Sequence, residues 1–297
     1  MVSSIARIAS YNISGAVARD RRFYARRGNA STARLTARAK AITAEIAEWA
    51  RNSAFDVLAL QEVDVCYNGG ETFAQGASLA DALGMEYAFL PGFDYHFFGH
   101  LDVTTGVATL VRGQIVSTRP VHFSQNSGLK SRLKAKLLGR KTALHTRAVI
   151  KGRTFHIVNA HLTHDDDAQK LNELETVLTY CRDLDPVLIM GDLNTTPHAT
   201  RTGDMIARDN LATDGCMRRL ARLAREAEHF CFDTRLGTFV DSPAELLQIC
   251  SFPAHTPTTK LDYVFLLSKD RSLRLGAEEI PEIYCSNHRP VATSLTW

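Results

Sequence analysis

Apolar residues fall into two rhythms along the chain. Short runs in which they alternate or are nearly continuous occur at "SIARIASYNI", "FDVLALQEV", "GVATLVR", "TFHIVNAHL", "DPVLIMGDLN", "LDYVFLLS" and "RPVATSLTW", and these predict strands. Three-to-four spacing in "TARLTARAKAITAEIAEWA", "ASLADALG", "DAQKLNELETVLTYC" and "CMRRLARLAREAEHF" predicts helices. The two kinds of element mix throughout, which predicts an α/β chain, and nothing reads as a linker, so one domain over residues 1–297 is expected. Residues 124–146 are the least regular. Residues 201–257 have room for two helices and a loop, and both stretches are expected to be surface additions.

The predicted strands share a feature: they finish on acids, amides or imidazoles. "IMGDLNTTP" stops an apolar run on Gly191, Asp192 and Asn194, and two polar residues that far apart on extended backbone point the same way. Taken alone, the same residues also suit an Asx turn capping the next segment. "IASYNIS" ends on Asn12, "VLALQEV" on Glu62, and "IVNAHLTH" on Asn159 and His161. "KLDYVFLL" opens with Asp262, and "YCSNHRPV" places Asn287 and His288 before the last strand. A lone histidine near an apolar face is ordinarily a satisfied core group; six strand ends of one chemical kind are poorly explained as separate accidents. Carboxylate and amide oxygens without cysteine suit a hard cation, Mg²⁺ or Mn²⁺, with Glu62 as ligand and Asn12 in support. Two histidines, one with Asp262 as a candidate partner, add donors for charge developing on oxygen. A metal, a base and several donors make a kit for hydrolysing phosphate esters.

Composition changes the picture little, and charge distribution changes it more. Hydrophobic residues make up 45% and charged residues 23%, ordinary globular values. No apolar stretch approaches the roughly 20 residues of a membrane span, and the N-terminus lacks the pattern of a secretory signal, so a cytoplasmic location is expected. The six cysteines form no C-x-x-C pair and read as reduced thiols. The net charge is only +3, yet residues 19–40 carry eight basic residues and one acid, and residues 129–153 carry nine and none. Such blocks suit nucleic acid or an anionic lipid surface, or are simply solvated basic faces. Oligomeric state has no signature here.

The ordered set "YNIS", "LALQEV", "NAHLTH", "GDLNTTP", "LDYVF" and "SNHRPV" resembles the endonuclease/exonuclease/phosphatase superfamily, which includes deoxyribonuclease I-like nucleases, abasic-site endonucleases, neutral sphingomyelinases and inositol polyphosphate 5-phosphatases. The resemblance runs over residues 9–295, and its specificity lies in the combination. It implies a four-layer αββα sandwich of two mixed β-sheets flanked by helices. By position, it implies that Glu62 is the principal metal ligand with Asn12 beside it, and that Asp192 aligns or deprotonates the attacking water. Asn194, His161 and, in the same motif as His161, Asn159 are expected to bind the substrate phosphate, and the resemblance makes His288 a second phosphate-contacting histidine oriented by Asp262. Where most members carry Ser-Asp-His, this chain has Ser286, Asn287 and His288; the substitution removes one negative charge from a position associated with the metal. The implied activity is divalent-metal-dependent phosphoester hydrolysis, first as a nuclease-type phosphodiesterase. A phosphatase or phospholipase acting on lipid or inositol phosphates, and a catalytically weak phosphate-binding module, are the alternatives.

Overall fold

The structure, a computed structural model, describes residues 4–14, 32–68, 70–97, 100–123, 141–164, 166–195, 250–257 and 259–297, with short pieces at 198–199, 208–209, 215–216, 219–220 and 230–231. Its strands are β1 (Ile5–Asn12), β2 (Val57–Asn68), β3 (Glu71–Ala74), β4 (Glu86–Phe97), β5 (His100–Val111), β6 (Gln114–His122), β7 (Thr142–Ile150), β8 (Arg153–His161), β9 (Val187–Asp192), β10 (His198–Ala199), β11 (Arg208–Asp209), β12 (Phe230–Cys231), β13 (Asp262–Leu267), β14 (Arg274–Leu275) and β15 (Val291–Thr296). The helices are α1 (Thr32–Ser53), α2 (Gln75–Leu83) and α3 (Asp167–Cys181).

The strands make two mixed sheets, apart from β10 and β11, which pair with each other. One runs β14-β15-β1-β2-β5-β4 with β3 added to β2, and the other β12-β13-β9-β8-β7-β6. Each has one parallel pair near its middle, β1 with β2 and β8 with β9, and antiparallel neighbours around it. Strand periodicity sorts the side chains into layers. On β1, Ala9, Tyr11 and Ile13 face outward onto Ile42 and Ile46 of α1 and Leu79 of α2, while Ala6 and Ile8 face inward. The inward layer meets Ala148, Phe155, Ile157 and Leu188 of the facing sheet. That sheet in turn places Val158, Ala160 and Ile189 against Leu174, Val177 and Cys181 of α3. The result is helix, sheet, sheet, helix, the αββα sandwich expected. Each fully buried Leu or Ile contributes on the order of 2 kcal/mol, so the three apolar layers dominate stability.

Not every element was readable in advance. β4, β6 and most of β7 carry no clear apolar pattern, and residues 142–146, expected to be irregular, form the first half of β7. β6 is a sheet edge, mostly exposed, so it needs no apolar face. β7 lies between β6 and β8 and buries polar side chains such as His145, which hydrogen-bonds Tyr180 Oη (2.7 Å) and His156 (2.9 Å). The helix expected in "CMRRLARLAREAEHF" falls mostly outside the described residues, as does most of 201–257. No helix among the described residues is long and apolar enough to cross a membrane.

A polar clasp sits inside the apolar sandwich. Gln61 of β2 donates Nε2 to Asn159 Oδ1 across the sheets (2.8 Å), and Asn159 returns Nδ2 to the carbonyls of Leu60 (3.1 Å) and Ala108 (2.9 Å). Both residues are fully buried, so breaking the clasp strands donors and acceptors away from water. Asn159→Leu is expected to destabilise the protein by about 2–3 kcal/mol, read as a lower urea midpoint with an unchanged m-value; an unchanged midpoint would show that the clasp contributes nothing.

Candidate active site

Two parallel pairs bring four strand C-termini to one end of the sandwich. In one sheet Asn12 lies beside Gln61; in the other, Asp192 lies between His161 on β8 and Asp262 on β13. Because the sheets face each other, the ends meet as three cross-sheet contacts. At the centre, Asn12 Nδ2 donates to Asp192 Oδ2 (2.9 Å) and to Glu62 Oε1 (3.2 Å). On one flank His161 Nε2 stands 4.0 Å from Glu62 Oε1 and 3.6 Å from Asp192 Oδ2. On the other, His288 Nδ1 bonds Asp262 Oδ2 (2.8 Å), with its Nε2 3.9 Å from Asp192 Oδ2.

Local backbone irregularities aim these groups. β2 shifts register against β5 between Gln61 and Val63, and Glu62 sits there with φ 53°. The bulge breaks the alternation, so Val63 joins the outward layer while Glu62 turns toward the cleft beside inward Gln61. A left-handed glutamate costs on the order of 1 kcal/mol, which the surrounding ladder must hold. Ser14 and Asn194, with φ 49° each, also lie at strand ends bordering the cleft. Gly191 is required by proximity: a Cβ there would lie 1.8 Å from the Ala160 carbonyl oxygen of the parallel neighbour. Removing that Cβ lets β9 deliver Asp192 flush with His161.

Burial and charge set the protonation pattern. Burial pushes Asp192 up to about 6, reinforced by Asp262 and opposed by His288 and the Asn12 hydrogen bond. Burial works against a charged His288, but Asp262, through charge and hydrogen bond, then Asp192 and Glu62, raise it to about 9. His161 goes the other way: burial, then Lys141 and His288, hold it well below its ordinary value. At neutral pH the site therefore pairs a charged imidazole with a neutral one. Ser251 Oγ donates to Asp262 Oδ2 (2.6 Å), completing a Ser251–Asp262–His288 chain.

Of the residues expected from sequence, Asn12, Glu62, His161, Asp192, Asp262 and His288 form this single cluster. Asn194 borders it: its backbone N–H donates to Asp192 Oδ1 (3.0 Å) and its Nδ2 to the Leu162 carbonyl (2.9 Å). Asn287 lies alongside, its Oδ1 accepting from Ser14 Oγ, while Ser14 N–H donates to Asn12 Oδ1 (2.9 Å). In this arrangement Asn12 presents nitrogen to the carboxylates and keeps its oxygen for Ser14. Asn159 does not join the cluster; it lies a layer deeper, with its amide committed to the inter-sheet clasp. Residues 19–31 and 129–140 of the basic blocks lie outside the described residues. In the remainder of the second block, Lys151 pairs with Asp56 (2.7 Å) and Arg153 with Asp270 (2.5 Å).

Sequence reasoning missed several supporting groups. Buried Lys170 donates Nζ to the Asn194 carbonyl (2.7 Å), and Lys141 to the Leu162 carbonyl (2.5 Å). Lys141 was visible only as part of a basic block. Ser251 and Lys170 carry no local signal, since the groups that tie them to the site, Asp262 and the Asn194 carbonyl, are not their sequence neighbours.

A family model for the endonuclease/exonuclease/phosphatase family matches residues 9–281. The chain belongs to the endonuclease/exonuclease/phosphatase family. As a member it is a phosphoester hydrolase. Solved structures carry the same fold. An endonuclease/exonuclease/phosphatase from Beutenbergia cavernae is 20% identical with TM-score 0.65, covering 98% of this chain and 71% of that one. A humanized D. rerio TDP2 with 14 mutations is 14% identical with TM-score 0.61, covering 98% of each chain. A Bacteroides thetaiotaomicron mannosyl-6-phosphatase is 16% identical with TM-score 0.57, covering 98% of this chain and all of its own (100%). A search of curated protein sequences finds no significant match.

The family's divalent-metal chemistry fits the donors present. Asp192, Asp262 and His288 bring ligand atoms within 4.8 Å of one another and could hold a metal ion, through all three with His288 deprotonated and through the carboxylates alone with it charged. Asp262 Oδ1 is buried without a hydrogen-bond partner among the described residues, an oxygen that a cation or water would satisfy. The Glu62 side chain, 30% exposed where that of Asp192 is 2%, marks the open end of the cluster.

Asp262→Asn removes the largest charge holding His288 protonated. The imidazole pKa, followed by NMR in EDTA, is expected to fall from about 9 to below the ordinary histidine value. Because the folded value is raised, the pair's stabilising effect is complete below about pH 6.5 and is lost as pH rises toward 9. That loss of stability across the window should be absent from the variant.

Proposed function

We propose that the protein is a Mg²⁺- or Mn²⁺-dependent phosphodiesterase of nuclease type. The observation that carries the reading is the convergence of three carboxyl groups, Glu62, Asp192 and Asp262, on one charged imidazole, His288, across two sheets. That excess of acid suits a hard cation, and the neighbouring donors suit a phosphoryl group. When bound at Glu62 with Asp192 nearby, the cation would neutralise phosphate charge and polarise a non-bridging oxygen.

The chain's own residues supply the rest. Asp192, with a pKa near 6, is largely ionised at neutral pH and is suited to orient water and take up its proton. His288 stays charged and meets negative charge on the phosphoryl oxygens, held in place by Asp262. Neutral His161 and the Asn194 amide offer hydrogen bonds from the opposite side, with Asn194 itself steadied by Lys170. None of these groups has to reorganise as charge develops, which is where such sites lower the barrier.

The nuclease-type reading draws on the basic block at 19–40. It follows the first active-site strand closely in the sequence, beginning five residues after Ser14. Such a block suits contact with a nucleic acid backbone, and binding would weaken steeply with salt. The second reading, hydrolysis of lipid or inositol phosphates, draws on the ion pairs that occupy Lys151 and Arg153, which leave less basic surface for a long polyanion. Anionic headgroups would then be the partner of residues 19–40.

Plasmid DNA, RNA, sphingomyelin and phosphoinositides, each incubated with Mg²⁺ and then with EDTA, separate these readings. Metal-dependent nicking is the expected result. Release of phosphate or phosphocholine alone would establish the second reading, and binding without turnover would mean a phosphate-binding module. Glu62→Gln, Asp192→Asn and His288→Ala are each expected to lower kcat/KM by about 10²–10⁴; Glu62→Gln should leave the urea midpoint near wild type, whereas His288→Ala should lower it because buried Asp262 loses its partner, and retained turnover in any of the three would refute its assigned role. Asn287→Asp restores a negative charge beside Asn12 and is expected to tighten Mg²⁺ binding in a calorimetric titration.

A further inference from the structure

Aromatic rings line the His288 flank of the cleft. The Phe252 ring lies on the His288 imidazole, centroids 4.8 Å apart. Three residues further on, exposed His255 stacks on Tyr284 with centroids 5.0 Å apart and planes 4° from parallel. Tyr284 also carries the Arg289 guanidinium, 5.3 Å from its ring centre, and its Oη accepts from Arg289 Nη2 (3.2 Å).

The assembly is rigid and tied to the catalytic chain. Arg289 is buried, donates Nε to the Ala254 carbonyl (2.7 Å) and donates its backbone N–H to the Ser251 carbonyl (2.7 Å). Ala254 N–H donates to the Asn287 carbonyl (2.7 Å). Segment 251–255 is thus laced to 284–289 on both sides of His288. Three residues place the Cα atoms of Phe252 and His255 at most about 11 Å apart, so the exposed imidazole belongs to the same flank as the ring packed on His288. A buried arginine and a half-buried tyrosine hold a flat, exposed ring beside a phosphate site. Apolar packing alone does not require a polar imidazole there.

We propose that the His255–Tyr284 stack is a subsite for a planar aromatic ring carried by the phosphoester substrate, against which that ring stacks as it lies on the His288 flank. This deepens the phosphodiesterase reading and rests on it. The ring can belong to a nucleobase or to an aryl leaving group; both present the same π face.

The experiment compares wild type, His255→Ala and His255→Phe on three substrates: a thymidine oligonucleotide, the same oligonucleotide with abasic residues flanking the cleaved bond, and methyl 4-nitrophenyl phosphate. For a nucleobase subsite, wild type prefers the base-bearing strand by about tenfold in kcat/KM. His255→Ala abolishes that preference, His255→Phe keeps it, and the nitrophenyl ester is unaffected. For an aryl subsite, the loss in His255→Ala falls on the nitrophenyl ester instead. Equal loss on all substrates, or no loss on any, would overturn the proposal. Quenching of a 2-aminopurine nucleotide reads the stack without turnover: it is expected with wild type and His255→Phe and absent with His255→Ala. No quench in wild type would count against the subsite even if hydrolysis occurs. Quench without hydrolysis of any substrate would overturn the phosphodiesterase reading and leave the subsite standing.

Discussion

One amide nitrogen holds the active end of this molecule together. Asn12 Nδ2, at the tip of β1, donates both to Asp192 from the facing sheet and to Glu62 from the adjacent strand. The two carboxylates would otherwise repel at short range, and each comes from a different covalent neighbourhood. A shared donor lets them stand together before any cation arrives. The contact exists only if the sheets face each other in one register. The Gln61–Asn159 clasp, one residue deeper on β2 and two on β8, sets that register from within the apolar layer.

From that constraint the electrostatics follow. Asp192 is flanked in its own sheet by His161 and Asp262 and is met from across the gap by Asn12 and His288. Burial disfavours the charged form of both histidines, and their neighbours move them apart: Asp262 raises His288, whereas Lys141 and His288 lower His161 further. The division of labour between two chemically identical side chains is therefore a property of placement. Placement also comes at a local cost, in the left-handed backbone of Ser14, Glu62 and Asn194. Three of the five described non-glycine residues with positive φ border the cleft, as strain concentrated at a functional site would have it.

The central strands were legible in the sequence because both faces of β1, β8, β9 and β13 are covered over much of their length, so apolar residues dominate them up to the tip. The same physics marked the site: a polar residue is tolerated in such a strand only where it reaches the cleft or finds a buried partner. Asn12, Glu62, His161, Asp192, Asp262 and His288 stood out by this contrast. Asn159 stood out equally, yet its partners are Gln61 and two carbonyls, since a buried polar group at a strand end reads the same whether it faces substrate or a second sheet. Edge strand β6 and the polar interior strand β7 had no such contrast and escaped notice.

By itself, then, the sequence determined which strands are buried, which residue types stand at their ends, and hence a phosphoester chemistry for the family. Periodicity and composition are local properties, written within ten residues of each position. Which sheet faces which, the bulge that turns Glu62 toward the cleft, the opposite protonation of His161 and His288, the clasp role of Asn159 and the aromatic flank built on Arg289 were decided only by tertiary structure. Each depends on partners tens to hundreds of positions away, whose distance and burial exist only once the two sheets have closed on each other.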